Sequence, residues 1–307
     1  MKTIRIGTRK SPLAMWQANL VSEKLKSKNL IPEIIPISSE GDLNLQQPIY
    51  QLGISGVFTR SLDIALLNNQ IDIAVHSLKD VPTLLPKNIE LKGFMKRGNP
   101  NDILVYKSDD IFDKEKRTVA TGSLRRKAFW LNKFPNDKLV DLRGNVQLRI
   151  QKLLDSNWDG AVFAYAGLER SEILNELRNK DLKFKILDWM IPAPSQGIVG
   201  ITAKSDFEMP GISDENSRIS ATIERQFLNI LEGGCTAPIG AYAQIQNDQV
   251  LFKGAILSLD GKKIISVEEN FPKSEFETKG KELAEICIQK GPGELIREIQ
   301  KELNKNI

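Results

Sequence analysis

The stretch Leu231-Glu232-Gly233-Gly234-Cys235-Thr236-Ala237-Pro238-Ile239-Gly240 places a thiol between a glycine pair and a proline. A structural cysteine normally sits on the apolar face of an element, and Cys287, spaced with Leu283 and Ile286, fits that description. Cys235 lies on no such face and reads as presented on a turn. A presented sulfur can be a redox sensor, a nucleophile or the attachment point of a covalent group; the plain alternative is a buried loop residue. A Cys–His pair has one candidate base, His76, which reads more readily as a hydrogen-bonding structural residue than as a base or ligand. No oxyanion motif accompanies it. With two cysteines and one histidine in the chain, neither a disulfide framework nor a His/Cys metal site is expected.

The arginines form a second pattern. Arg9 precedes a helix start at Ser11-Pro12, Arg125 and Arg126 follow Ser123, Arg143 ends a strand-like run, Arg149 follows Asn145, and Arg170 closes Ala-Gly-Leu-Glu-Arg. Free N–H groups and the positive dipole end make helix N-termini anion sites. Arginine adds a two-pronged grip on carboxylate or phosphate. One such residue is usually a surface charge; a set of them at corresponding element ends points to a site for a polyanion. Aromatic residues make up 7% of the chain and fall mostly at core spacing, as Trp16 does. That favours small carboxylates over nucleic acid, which would call for aromatic platforms beside basic patches.

A third stretch, Val75-His76-Ser77-Leu78-Lys79-Asp80-Val81-Pro82, follows a short apolar run, Ile71–Val75. It therefore emerges at the carboxyl edge of a parallel sheet, where α/β proteins bind ligands. Lys79 favours an ionised Asp80. A carboxylate in a site for anions makes sense only against developing positive charge; the alternative is an ordinary turn aspartate.

These residues need elements to hold them. Thr3–Thr8 alternates as a strand, and Ser11-Pro12 caps a helix carrying Leu13, Trp16, Leu20, Val21 and Leu25 on one face. Ile34–Ser38 is a second strand, 41–56 a polar Gly/Pro-bearing loop, and Phe58–Leu67 a helix. A similar series restarts near residue 100: strand Val119–Thr121, cap Ser123, helix Leu124–Phe134, strand Leu139–Leu142, helix Val146–Leu154, strand Gly160–Ala164. The two series share an order without a strict repeat, and both read as βαβ units. Beyond about residue 212 the helix Ser217–Leu231 precedes three close strands, 241–245, 250–257 and 264–269, with Asp260-Gly261 as a hairpin turn, and two helices end the chain.

The chain has 307 residues, 41% apolar and 27% charged, with 43 basic and 39 acidic side chains. That is the composition of a globular protein of two or three domains. No apolar run approaches the roughly 20 residues of a membrane span. The N-terminal residues enter a strand pattern directly, without a signal-like apolar region, so a cytoplasmic protein is expected.

In chain order, the motifs Ile-Gly-Thr-Arg-Lys-Ser-Pro-Leu-Ala (6–14), Ala-Val-His-Ser-Leu-Lys-Asp-Val-Pro (74–82), Thr-Gly-Ser-Leu-Arg-Arg (121–126), Leu-Arg-Gly-Asn-Val (142–146), Ala-Gly-Leu-Glu-Arg (166–170), Pro-Ala-Pro-Ser-Gln-Gly (192–197) and Glu-Gly-Gly-Cys-Thr-Ala-Pro-Ile-Gly (232–240) resemble those of the porphobilinogen deaminase family. The resemblance spans nearly the whole chain. It implies an α/β fold with two periplasmic-binding-protein-like domains of mixed sheets, residues 1–97 with 193–212 and residues 98–192. A small α+β C-terminal domain, 213–307, completes it.

The resemblance also implies a transferase of haem-type tetrapyrrole biosynthesis. A dipyrromethane cofactor is joined by a thioether to Cys235, and four porphobilinogen molecules are condensed onto it with loss of ammonia before the linear tetrapyrrole is released. Asp80 matches the family's catalytic aspartate. Lys79, Ser123, Arg125, Arg126 and Arg149 match cofactor-binding positions; Arg9, Ser11, Arg143, Arg149, Arg170 and Phe58 match substrate-binding ones. No metal, nucleic acid or membrane is implied, and members commonly work as monomers. The loop 41–56 would be a lid. The chain departs from the family pattern at Ser55 and Arg60, where lysines are usual, at Gln46 or Gln47, where an acid is usual, and at Ser195, which stands for a glycine. A carboxylate sensor without turnover and a nucleic-acid binder are the rival readings. A sensor would bind a carboxylate without consuming it, and a nucleic-acid binder would lose affinity steeply with salt.

Overall fold

The computed structural model describes residues 3–38, 58–232 and 237–291, with alternate residues from 293 to 301. In chain order its elements are β1 (Thr3–Arg9), α1 (Pro12–Lys26), β2 (Ile31–Ile37), α2 (Arg60–Leu67), β3 (Ile73–Ser77), β4 (Ile89–Phe94), β5 (Asp102–Tyr106), β6 (Thr118–Ala120), α3 (Leu124–Lys133), β7 (Lys138–Val140), α4 (Val146–Asp155), β8 (Gly160–Ala164), α5 (Tyr165–Arg170), α6 (Ile173–Leu177), β9 (Lys183–Leu187), β10 (Val199–Lys204), α7 (Glu215–Glu232), β11 (Ile239–Gln246), β12 (Gln249–Leu257), β13 (Ile264–Pro272) and α8 (Phe276–Gln289). The described residues fall into two compact units. The first takes them from Met1–Leu45, Ile54–Gly98 and Gln196–Ile219, the second from Asn99–Ser195 and Ser220–Ile307.

The first unit is built on a five-stranded sheet of order β2-β1-β3-β10-β4. β1 runs parallel to β2 and β3, and β10 is antiparallel to both β3 and β4. Pro32 and Pro36 sit in β2, an edge strand, where a missing N–H costs no ladder bond. One core cluster joins Ile4, Ile6, Val21, Leu25, Val75 and Ile201, and another joins Leu62, Leu66, Ile71, Ala74 and Ile89. β3 runs two residues further than its apolar stretch because β10 pairs with it through His76 and Ser77.

The second unit repeats the strand order. Its sheet reads β7-β6-β8-β5-β9, with β6 parallel to β7 and β8, and β5 antiparallel to β8 and β9. The echo between the two series of elements is thus an equivalence of topology: in both sheets the fourth strand runs against its neighbours and comes from outside the βαβ series. The same unit carries the antiparallel sheet β11-β12-β13. Ala255 and Leu257 of β12 belong to one core cluster with Val119, Trp130 and Val162. The turn after β12 needs its glycine: Gly261 has φ +73°, and a Cβ there would lie 2.6 Å from the carbonyl oxygen of Ala128. Asn132 closes that contact by donating to the Gly261 carbonyl at 2.8 Å.

Candidate active site

In the first unit the chemistry gathers at the ends of β1 and β3. Ser11 caps α1, its hydroxyl accepting from the Ala14 N–H at 3.3 Å, with Pro12 at the first helical position. Arg9 is the last residue of β1, and its guanidinium carbon lies 4.3 Å from the centroid of the Phe58 ring, a cation–π pair. His76 is buried beside it with Nε2 3.0 Å from the Thr202 hydroxyl. Burial, followed by the nearby Arg9 charge, pushes its pKa down to about 4, so the imidazole is neutral near pH 7.

Asp80 ends a single 3-10 turn, Leu78–Asp80, that follows β3 directly. The turn is pinned from both sides. Leu78 and Val81 are buried, the Leu78 N–H donates to the Ile198 carbonyl at 3.0 Å, and the Val81 N–H donates to the Leu78 carbonyl at 3.1 Å. Between these anchors the Asp80 side chain is exposed. Lys79 Nζ donates to Gln196 Oε1 at 3.1 Å; the Gln196 carbonyl accepts from Arg97 Nε at 2.9 Å, and Gln196 itself is fully buried. Gln196 was not among the residues expected from motif chemistry, because its partner stands 117 positions away.

The second unit holds the other arginines. Ser123 caps α3 through the Arg126 N–H at 3.4 Å, and Asn145 caps α4 through the Leu148 N–H at 2.9 Å. Arg125 and Arg126 both reach Asp102, the buried first residue of β5: Arg125 Nη2 lies 2.7 Å from Oδ2, and Arg126 Nη2 lies 2.8 Å from Oδ1. Asp102 carried no signal in its local sequence. Arg143 and Arg170 are buried too, and in each burial lowers the guanidinium pKa against the opposing pull of one neighbouring acid, Asp141 and Glu169 respectively. Arg149 donates Nε to the Gly144 carbonyl at 2.7 Å, and Lys152 donates to that of Arg143 at 3.1 Å.

Arg125, Arg126, Arg143 and Arg170 are all drawn out of water, and Arg125 and Arg126 share the carboxylate of Asp102. Such a donor set fits a ligand that brings its own acids. Cys235, Ser55, Gln46, Gln47 and the loop 41–56 lie outside the described residues. Among the described residues no group of three His, Cys, Asp or Glu side chains could hold a metal ion, and no helix is long and apolar enough to cross a membrane.

Residues 4–209 match the model of the porphobilinogen deaminase dipyromethane cofactor binding domain, and residues 219–289 match that of the porphobilinogen deaminase C-terminal domain. The chain belongs to the porphobilinogen deaminase family. Curated relatives named porphobilinogen deaminase agree along almost its full length. That of Cytophaga hutchinsonii is 36% identical over 99% of both chains, and that of Francisella tularensis subsp. novicida is 42% identical over 86% of this chain and 90% of its own. Among solved structures, the VFT2 domain of Bordetella pertussis BvgS aligns with 66% of this chain and 80% of its own at 13% identity and a TM-score of 0.41. Membership of the family brings with it a dipyrromethane cofactor.

Proposed function

We infer that this chain is a hydroxymethylbilane synthase: it condenses four porphobilinogen molecules head to tail onto a covalent dipyrromethane, releasing one ammonia per addition, and then frees the linear tetrapyrrole by hydrolysis. The observation that carries the reading is the match of residues 4–209 to the cofactor-binding domain of this family. The pinned turn that leaves the Asp80 carboxylate exposed supports it.

In this reading the dipyrromethane supplies the terminal pyrrole carbon to which each new ring is joined, and Cys235 is its anchor. Arg125, Arg126 and Arg149, with Lys79 and Ser123, hold acid side arms of the cofactor. Arg9, Ser11, Arg143, Arg149 and Arg170 bind those of incoming porphobilinogen, with Phe58 as the aromatic neighbour of Arg9. Each ring carries an acetate and a propionate, so every addition brings more negative charge to these guanidiniums.

Asp80 has a different task. Loss of ammonia leaves positive charge on the substrate pyrrole, and a fixed carboxylate near the ring N–H lowers the energy of that charge and can accept the proton released when aromaticity returns. The exposure of Asp80 suits contact with substrate rather than service to the fold. We further propose that the protein acts as a monomer in the cytoplasm.

The test is direct. Mass spectrometry of the denatured, unreduced chain should show a two-pyrrole adduct, and porphobilinogen should be consumed with release of ammonia. Cys235→Ser should yield protein without adduct or turnover; an unmodified yet active Cys235→Ser protein overturns the attachment role.

A further inference from the structure

α7 ends at Glu232 and β11 begins at Ile239, so Cys235 belongs to the connection between them. A buried carboxylate joins those two elements. Glu224 stands about two turns before the end of α7 and is 0% exposed. Its Oε1 accepts from the Ala243 N–H of β11 at 2.8 Å, and its Oε2 accepts from the Ser195 N–H at 2.6 Å. β11 is an edge strand of its sheet. The Ala241 N–H, on its open side, donates to the Pro192 carbonyl at 3.0 Å, as it would to a fourth strand. The approach is close: a Cβ on Gly240 would lie 2.8 Å from the Ile191 carbonyl oxygen. The pairing goes no further. Pro192 and Pro194 have no N–H to give, and Ser195 turns away at φ +65°. At Ala243, the next N–H on that side, the acceptor is the Glu224 carboxylate instead. Phe227, three residues on and so on the same face of α7, packs against Phe252 of β12 with ring centroids 5.1 Å apart.

We propose that Glu224 is a positioning residue for cofactor attachment: its two oxygens set the register of α7 against β11, and with it both ends of the connection that carries Cys235. This rests on the reading of the chain as a hydroxymethylbilane synthase. Apolar packing such as that of Phe227 is non-directional, whereas two charge-assisted hydrogen bonds to backbone donors are directional. A slip of α7 by one turn would carry its end through about 5.4 Å, and misplacing a reacting atom by about 1 Å costs on the order of 10²-fold in rate. In attachment the Cys235 sulfur bonds to the aminomethyl carbon of a first porphobilinogen while ammonia leaves with the thiol proton. A second ring then joins the first with loss of a second ammonia.

The experiment compares cofactor-free wild type, Glu224→Gln and Leu283→Ala. Glutamine keeps the shape of the side chain but has one acceptor oxygen, so one of the two backbone N–H groups is left facing an NH2 group. Leu283 is buried on α8; its truncation opens a cavity in the same domain and lowers stability while leaving both Glu224 hydrogen bonds in place. Melting temperatures are measured first. The rate of acquiring the two-pyrrole adduct is then followed by intact mass against porphobilinogen concentration, at a temperature where every chain is folded. Both variants should melt below wild type. Leu283→Ala should load at the wild-type rate, whereas the limiting loading rate of Glu224→Gln should fall at least about tenfold, with the porphobilinogen concentration for half that rate unchanged within about twofold.

A Glu224→Gln chain that loads no more slowly than Leu283→Ala shows that Glu224 serves stability alone and overturns the proposal. An intact limiting rate with a shifted half-rate concentration places its effect on substrate binding and overturns it as well. Should Glu224→Gln not fold, Glu224→Asp decides, because it keeps the charge and both acceptors but draws them back by one methylene. A limiting rate below that of Leu283→Ala supports the positioning role, and an equal rate overturns it. Wild-type chain that never acquires an adduct overturns the underlying reading and this inference with it, whereas a loading wild type beside an equally fast Glu224→Gln overturns this inference alone.

Discussion

Asp80 projects from a turn whose backbone is fixed by Leu78, Val81 and the Ile198 carbonyl, so exchanging its carboxylate for an amide should leave the turn intact. Asp80→Asn is expected to keep porphobilinogen binding and lose turnover by roughly 10²-fold or more, the usual worth of a positioned acid–base group; near-normal turnover in steady-state assays removes Asp80 from the mechanism. His76 makes a different prediction. Its folded pKa of about 4 lies below the ordinary value of 6.5, so the unfolded chain binds the proton more readily. The stability this confers is complete above about pH 6.5 and is lost as pH falls towards 4, by about 3 kcal/mol over the full window. His76→Gln should flatten that part of the urea-unfolding profile, and the chain's single imidazole makes the titration readable by NMR.

Ser195 explains a departure from the family pattern. It has φ +65°, is 1% exposed, and its hydroxyl is buried without a hydrogen-bond partner among the described residues. Its N–H donates to Glu224 Oε2 at 2.6 Å, which holds the backbone in a conformation that glycine adopts freely. Ser195→Gly should therefore stabilise the protein by about 1 kcal/mol in thermal melts.

At the scale of elements, the helix starts are local devices and were legible as such. Ser11, Ser123 and Asn145 each accept from a backbone N–H three residues on. Asn145→Ala should cost about 1 kcal/mol in chemical denaturation. Close approaches are not local. A Cβ on Gly280 of α8 would lie 2.3 Å from the Ile223 carbonyl oxygen of α7, so Gly280→Ala should lower stability by about 2 kcal/mol through forced separation of the two helices.

The same division separates what sequence reading reached from what it missed. The caps, the Asp260-Gly261 turn and most of the strands with apolar runs were found within a residue or a few. β4, β5, β9 and β10 were not anticipated, although β5 is a fully buried run, Asp102–Tyr106. β4 and β9 are edge strands that bury little on one side, and β10 owes its place to pairing with residues more than a hundred positions earlier. The arginines and Asp80 stood out through their motifs, whereas Asp102 and Glu224 appear only as the distant ends of ion pairs and hydrogen bonds, and Gln196, though inside the motif 192–197, shows its part only through its bond from Lys79.

Across the molecule, positive charge is stored in buried places. Arg125, Arg143 and Arg170 all have guanidinium pKa values lowered by burial; if Arg125 holds a cofactor acid, the cofactor-free chain should be less stable than the loaded one. Cys235→Ser is expected to melt below the loaded wild type; equal melting temperatures would detach the buried arginines from cofactor binding.

The first sheet receives β10 only after the chain has passed through residues 99–195, and β10 lies between β3 and β4. During synthesis on the ribosome, the strand that leads to Asp80 therefore waits with a bare edge until Val199–Lys204 has emerged, while β5 to β9 can already close their own sheet. The part of the enzyme begun first is finished later, and a nascent chain whose emerged portion ends near residue 195 would hold a complete second sheet while the turn that carries Asp80 still lacks the strand that walls it.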